Sequence, residues 1–178
     1  MHYEIKVQWR AFPLHPEIPE HGLTLKELFV GRDLDIQGMS ARLKRVADEL
    51  GLPWADRERT YNSRLAQELG KWAEERGKGD EFHSAVFHAY FAEGRDIGKK
   101  EVLTDLAGSV GLVKAGAEAV LESRSFRAAV DEDWRLSRER GITAVPTFVL
   151  DHGLLVGAQP YQALEGFLRN SGVRESVE

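Results

Sequence analysis

The sequence predicts an α/β protein with a large helical insertion. Three observations carry that reading: a period-two apolar stretch near the N-terminus, a long central region of helical periodicity, and a C-terminal strand, turn, strand and helix. At 178 residues the chain can bury one sizeable core, or a small domain bearing an insertion.

Tyr3, Ile5, Val7 and Trp9 alternate with Glu4, Lys6, Gln8 and Arg10, so residues 3–12 are expected to form the first strand. Pro13, Pro16 and Pro19 forbid regular structure over residues 13–23. Thr24 and Glu27 have the spacing of a capping box at the start of a short helix.

The next helix is expected over residues 40–50, with Leu43, Val46, Ala47 and Leu50 inward and Gly51 as its stop. Residues 62–76 place Leu65, Leu69, Trp72 and Ala73 on one face, and the aromatic-rich residues 82–91 form a helix against it. Two short helices follow at 100–110 and 114–122, separated by Gly111. Residues 125–140 form an amphipathic helix with Phe126, Val130, Trp134 and Leu136 inward, stopped by Gly141. A hairpin then runs through 147–150, the turn Asp151-His152-Gly153 and 154–156, and a helix closes the chain at 159–170. Residues 174–178 are expected to fray.

Composition excludes several chemistries. The 178 residues contain no cysteine, which removes disulfides, thiolate catalysis and cysteine metal sites from this chain. A net charge of −5, with acids and bases mixed, offers no basic stripe for nucleic acid. No apolar run has spanning length, and Met1 to Ile5 lack the features of a signal peptide, so a cytoplasmic protein that leaves membranes alone is the expectation. No metal is expected: His83 and His88 stand five apart and share a helical face poorly. Gly108, Gly111 and Gly116 lack the Lys-Ser/Thr pair of a phosphate loop and read as a helical break. Trp9, Trp72 and Trp134 lie on apolar faces and are expected in the core, and His152 in solvent.

Four fragments in order are similar to one family. Gln8-Trp9-Arg10-Ala11-Phe12-Pro13-Leu14, Asn62-Ser63-Arg64-Leu65-Ala66, Ala89-Tyr90-Phe91-Ala92-Glu93-Gly94-Arg95-Asp96-Ile97 and Gly157-Ala158-Gln159-Pro160 resemble the DsbA-like branch of the thioredoxin superfamily. The likeness is greatest to its FrnE-like subgroup, which is related to the 2-hydroxychromene-2-carboxylate isomerases. Gly141-Ile142-Thr143-Ala144-Val145-Pro146-Thr147-Phe148-Val149-Leu150 also resembles the family's cis-proline signature, which implies a cis Val145–Pro146 bond; a trans turn proline opening an edge strand is the plainer alternative.

The resemblance implies a thioredoxin-like core from residues 1–23 and 124–178, with residues 24–123 as a helical insertion. Family members begin with a further strand and a helix carrying Cys-x-x-Cys, and this sequence starts after that unit, so its redox dithiol is expected to be missing. Three readings follow. The favoured one is an oxidoreductase relative with no catalytic residue of its own. The second is an isomerase- or transferase-like protein using glutathione as its cofactor. The third is a binding module that holds a peptide or a thiol-containing small molecule at the cis-proline edge. In that groove Val145 and Pro146 offer backbone, with Trp54, Tyr61 and Asn62 lining it and Gln159 near by; Asn62 alternatively caps a helix. A core without the first strand and helix exposes two strand edges and an apolar face. Either residues 3–12 pair with residues 147–150 or a homodimer buries Ile5, Val7, Trp9, Phe148 and Leu150.

Overall fold

The structure, a computed structural model, describes residues 3–175. The chain forms two compact units, one of residues 15–130 and one of residues 1–14 with 131–178. Residues 176–178 of the expected frayed terminus lie outside the described residues.

In the larger unit, β1 (Leu23–Thr24) runs into α1 (Leu25–Leu28), and α2 (Ile36–Glu49) and β2 (Arg59–Thr60) follow. Then come α3 (Arg64–Glu75), α4 (Gly79–Phe91), α5 (Lys100–Ser109), α6 (Lys114–Ser123) and the first turn of α7 (Arg127–Glu139). The Thr24 hydroxyl accepts from the Glu27 amide while the Glu27 carboxylate accepts from the Thr24 amide, so the capping box forms at α1. β1 pairs antiparallel with β2, Leu23 opposite Thr60 and Thr24 opposite Arg59.

The core of this unit is the packing of α3 to α6. Leu69, Ala73, Phe82, Leu103, Ala107 and Leu121 are buried within it, as is Trp72. A Cβ at Gly116 would stand 3.0 Å from the Trp72 ring, so a glycine on α6 is what allows that contact.

One carboxylate sits inside the helix packing. Glu68 is 1 % exposed and accepts from Arg64 Nε at 2.6 Å, Arg124 Nε at 2.6 Å and Arg124 Nη2 at 2.8 Å. Arg64 Nη2 also donates to the Arg127 carbonyl. Burial would push the Glu68 carboxyl up, but the hydrogen bonds and charges of Arg124 and Arg64 outweigh it and hold the group below the usual glutamate range. Arg124 ends α6 with φ +54°, a left-handed conformation uncommon for a residue with a Cβ.

The smaller unit contains the rest of α7, the hairpin β3 (Thr147–Leu150) and β4 (Gly153–Val156), and α8 (Tyr161–Asn170). Asp133 on α7 is buried and accepts from Arg10 Nη1 at 2.8 Å and from the Ala11 amide at 2.9 Å, which fastens the N-terminal segment. Tyr3 forms a bridge with Glu175 and accepts at its hydroxyl from Arg169 Nε.

The structure corrects three expectations. Residues 4–12 are not a strand and do not pair with residues 147–150; the Ile5 amide bonds the Tyr3 carbonyl and the Ala11 amide bonds the Asp133 carboxylate. Alternation reports a two-faced segment, whereas a strand also needs a ladder partner. Trp9 is accordingly 44 % exposed and outside the core. On α2 only Ala47 is buried, while Leu43, Val46 and Leu50 face outward, because the helix has an apolar stripe but little packed against it. The two compact units divide at 14/15 and 130/131. The β1–β2 ladder and the bond from Asn62 Nδ2 to the Ile18 carbonyl tie residues 15–23 to the helical unit, which is therefore not all-helical, and the Arg64 bond to Arg127 ties residues 124–130.

Removing the Glu68 charge leaves two guanidinium groups facing a buried amide. Glu68→Gln is expected to lower unfolding stability by about 2 kcal/mol or more in denaturant titration at neutral pH. Because the folded-state pKa is depressed, the stabilisation is complete above the ordinary glutamate range and is lost as pH falls through the folded value. Wild type and Glu68→Gln should therefore converge in stability on acidification; a gap that persists at the acid end contradicts the assignment.

Candidate functional site

The hairpin turns through Asp151 and His152, and Asp151 takes φ +50°, which a short polar side chain tolerates. Leu150 stands opposite Gly153, Val149 opposite Leu154, Phe148 opposite Leu155 and Thr147 opposite Val156. The Gly157 amide donates to the Pro146 carbonyl at 2.7 Å, extending the ladder by one pair. That bond fixes the phase. Pro146, Phe148 and Leu150 direct their backbone groups at β4, so Thr147 and Val149 direct theirs away from it. Among the described residues this outer row has no partner, and the backbone of exposed Val145 continues it unbonded. The Val145–Pro146 bond is cis.

The two faces of the hairpin differ. Phe148, Leu150, Gly153 and Leu155 share one, where the Phe167 ring of α8 lies 2.9 Å from where a Gly153 Cβ would be. The other carries Thr147, Val149, Leu154 and Val156, and its three apolar members are 38 %, 45 % and 50 % exposed. Gln159 is exposed and donates its side-chain amide to the Val156 carbonyl at 2.7 Å, closing the turn after β4.

Trp54, Tyr61 and Asn62 belong to the larger unit and are linked there. Trp54 stacks on Phe91 at 5.6 Å between centroids, Phe91 meets Tyr90 edge-on at 4.8 Å, and the Tyr90 hydroxyl bonds Thr60 Oγ1 at 2.8 Å. The Tyr61 ring lies beside Gly22, whose φ of +73° and closeness to the Thr60 carbonyl leave no room for a Cβ. Asn62 is committed on both ends of its amide: Nδ2 donates to the Ile18 carbonyl at 2.6 Å and Oδ1 accepts from the Arg64 amide at 2.9 Å. It serves the local turn into α3.

Sequence reasoning passed over Arg57. Its guanidinium carbon lies 4.2 Å from the Tyr90 centroid, 4.8 Å from Phe91 and 5.9 Å from Trp54. A lone arginine between Asp56 and Glu58 gives no sequence signal; only its rings identify it, and the two nearest, Tyr90 and Phe91, come from α4. Among the described residues no group of three or more His, Cys, Asp or Glu is placed to hold a metal ion, and no helix is long and apolar enough to cross a membrane.

A family model of the DSBA-like thioredoxin domain matches residues 1–169. The chain belongs to the DSBA-like thioredoxin family. Within it, the chain is 30 % identical over 167 residues to the uncharacterized protein YwbO of Bacillus subtilis, covering 87 % of this chain and 76 % of that one. The probable DsbA oxidoreductase of Streptomyces coelicolor superposes with a TM-score of 0.82 at 26 % identity, over 95 % of this chain and 76 % of that one. A 2-hydroxychromene-2-carboxylate isomerase shares the fold, with a TM-score of 0.68 at 21 % identity over 76 % of this chain and 66 % of its own. The α/β DsbA-like fold is thus the frame in which β3 and the Trp54–Asn62 segment sit.

The hairpin phase makes a testable distinction between neighbours. Proline at Val149 removes an amide that points away from β4, and is expected to cost about 1 kcal/mol or less in thermal unfolding. Proline at Phe148 removes a ladder donor and should cost about 3 kcal/mol. Equal losses, or the reverse order, would show the phase to be wrong.

Proposed function

We propose that this chain is a thiol-free member of the DSBA-like family that holds an extended peptide along the outer edge of β3 and does not itself exchange disulfides. The unpaired row of Thr147 and Val149 backbone groups is the observation that carries the reading. An added strand would satisfy that row, and its alternate side chains would lie beside Thr147 and Val149, extending the apolar face that Leu154 and Val156 continue on β4. Thiol–disulfide exchange needs an attacking thiolate, and these residues supply none.

Each backbone bond gained contributes about 1 kcal/mol net, so binding is expected to be weak and to depend on apolar side chains. Fluorescence anisotropy with a labelled extended apolar peptide should show saturable binding. Val149→Pro should weaken it about tenfold, and N-methylation of alternate peptide amides should weaken it in one register only. Insulin reduction should not exceed the uncatalysed rate. Undiminished binding by folded Val149→Pro would sink the edge reading, and displacement of the peptide by glutathione would favour an isomerase-like use of the same edge.

A further inference from the structure

We infer that Arg57 is the receptor for a carboxylate ligand in the helical unit. Its Nε and Nη1 are buried, and among the described residues they have no hydrogen-bond partner and no acceptor engages the rest of the group, so Nη2 is the nitrogen that reaches solvent. The neighbouring acids Asp56 and Glu58 are exposed and make no bond to it. Buried donors in proteins almost always have acceptors, and two on one guanidinium is an exception that calls for a cause.

The rings explain why the group stays there. Tyr90, Phe91 and Trp54 crowd it at 4.2, 4.8 and 5.9 Å, and a cation is attracted to ring faces. They do not supply an acceptor. The shelf is itself fixed, by the Tyr90 hydroxyl on Thr60 and by the Ala55 amide on the Phe91 carbonyl at 2.8 Å. A cation with unused donors, parked on a firm aromatic surface with one nitrogen in solvent, is arranged to take an anion.

The anion that fits is flat. A carboxylate offers two oxygens in one plane that match the planar donor fork of a guanidinium, whereas phosphate carries oxygens above and below any such plane. A carboxylate would meet Nη2 first, and a bidentate bond would draw on one of the two buried donors beside it. A free organic acid and an acidic peptide side chain share this chemistry.

The Arg57 Nε–H resonance reads the event directly in the wild-type chain. Titration with sodium benzoate should shift it saturably, together with the Trp54 indole N–H, while benzamide, of the same shape without the charge, leaves both in place. A capped Gly-Glu-Gly peptide separates the sources: a response to benzoate alone assigns a free acid, and a response to the peptide alone assigns an acidic side chain. Arg57→Lys should weaken binding by about tenfold or more, since a point charge replaces the planar fork. No shift with either carboxylate, an equal response to benzamide, or phosphate binding as well as benzoate would overturn the inference, whether or not the variant folds.

Discussion

The buried Glu68 carboxylate is the constraint around which the helical unit is organised. A charge nearly removed from water requires partners, and it takes them from Arg64 on its own helix and from Arg124 at the end of α6. Arg124 reaches it from a left-handed backbone conformation, so the cap of one helix and the interior of another are set by the same bonds. Arg64 extends the network in two directions: its side chain holds the Arg127 carbonyl at the start of α7, and its amide is capped by Asn62. Through Asn62 the network arrives at Ile18 and at the Trp54–Asn62 segment, so the aromatic shelf stands on a firm support.

The smaller unit meets its polar requirements differently. Buried Asp133 holds the N-terminal segment by a guanidinium and a backbone amide, which draws that segment onto α7 and not onto the β3 edge. The hairpin is left with Gly153 against the Phe167 ring of α8, exposed apolar side chains at Val149, Leu154 and Val156, and one row of unused backbone groups. Native proteins usually pair, cover or charge such an edge, and Thr147 and Val149 do none of these. With no thiol in these residues, the chemistry left to the edge is hydrogen bonding and apolar contact.

Much of this was legible in the sequence where local rules suffice. The capping box at Thr24, the helices from α3 to α7 and the hairpin lie within a few residues of their expected places, because apolar periodicity and turn residues encode them directly. The misreadings share one cause. Alternation over residues 3–12 and the stripe on α2 were each sound reports of a two-faced segment, but periodicity cannot say whether anything faces it. Motif likeness singles out Val145 and Gln159 in the sequence, while Arg57 was missed because its two nearest rings, Tyr90 and Phe91, lie far along the chain on α4. Asn62 illustrates a third case, a polar residue with both ends of its amide engaged in the turn it builds.

Residue-resolved amide exchange tests the central claim, that the outer edge of β3 is unpaired in this chain and is the edge an added strand would occupy. In the free protein Thr147 and Val149 should exchange far faster than Phe148 and Leu150, whose amides face β4. With a saturating extended apolar peptide, Thr147 and Val149 should slow by about tenfold or more while their neighbours stay unchanged. Equal protection at all four positions in the free chain, or an edge indifferent to every peptide that binds, would contradict the account.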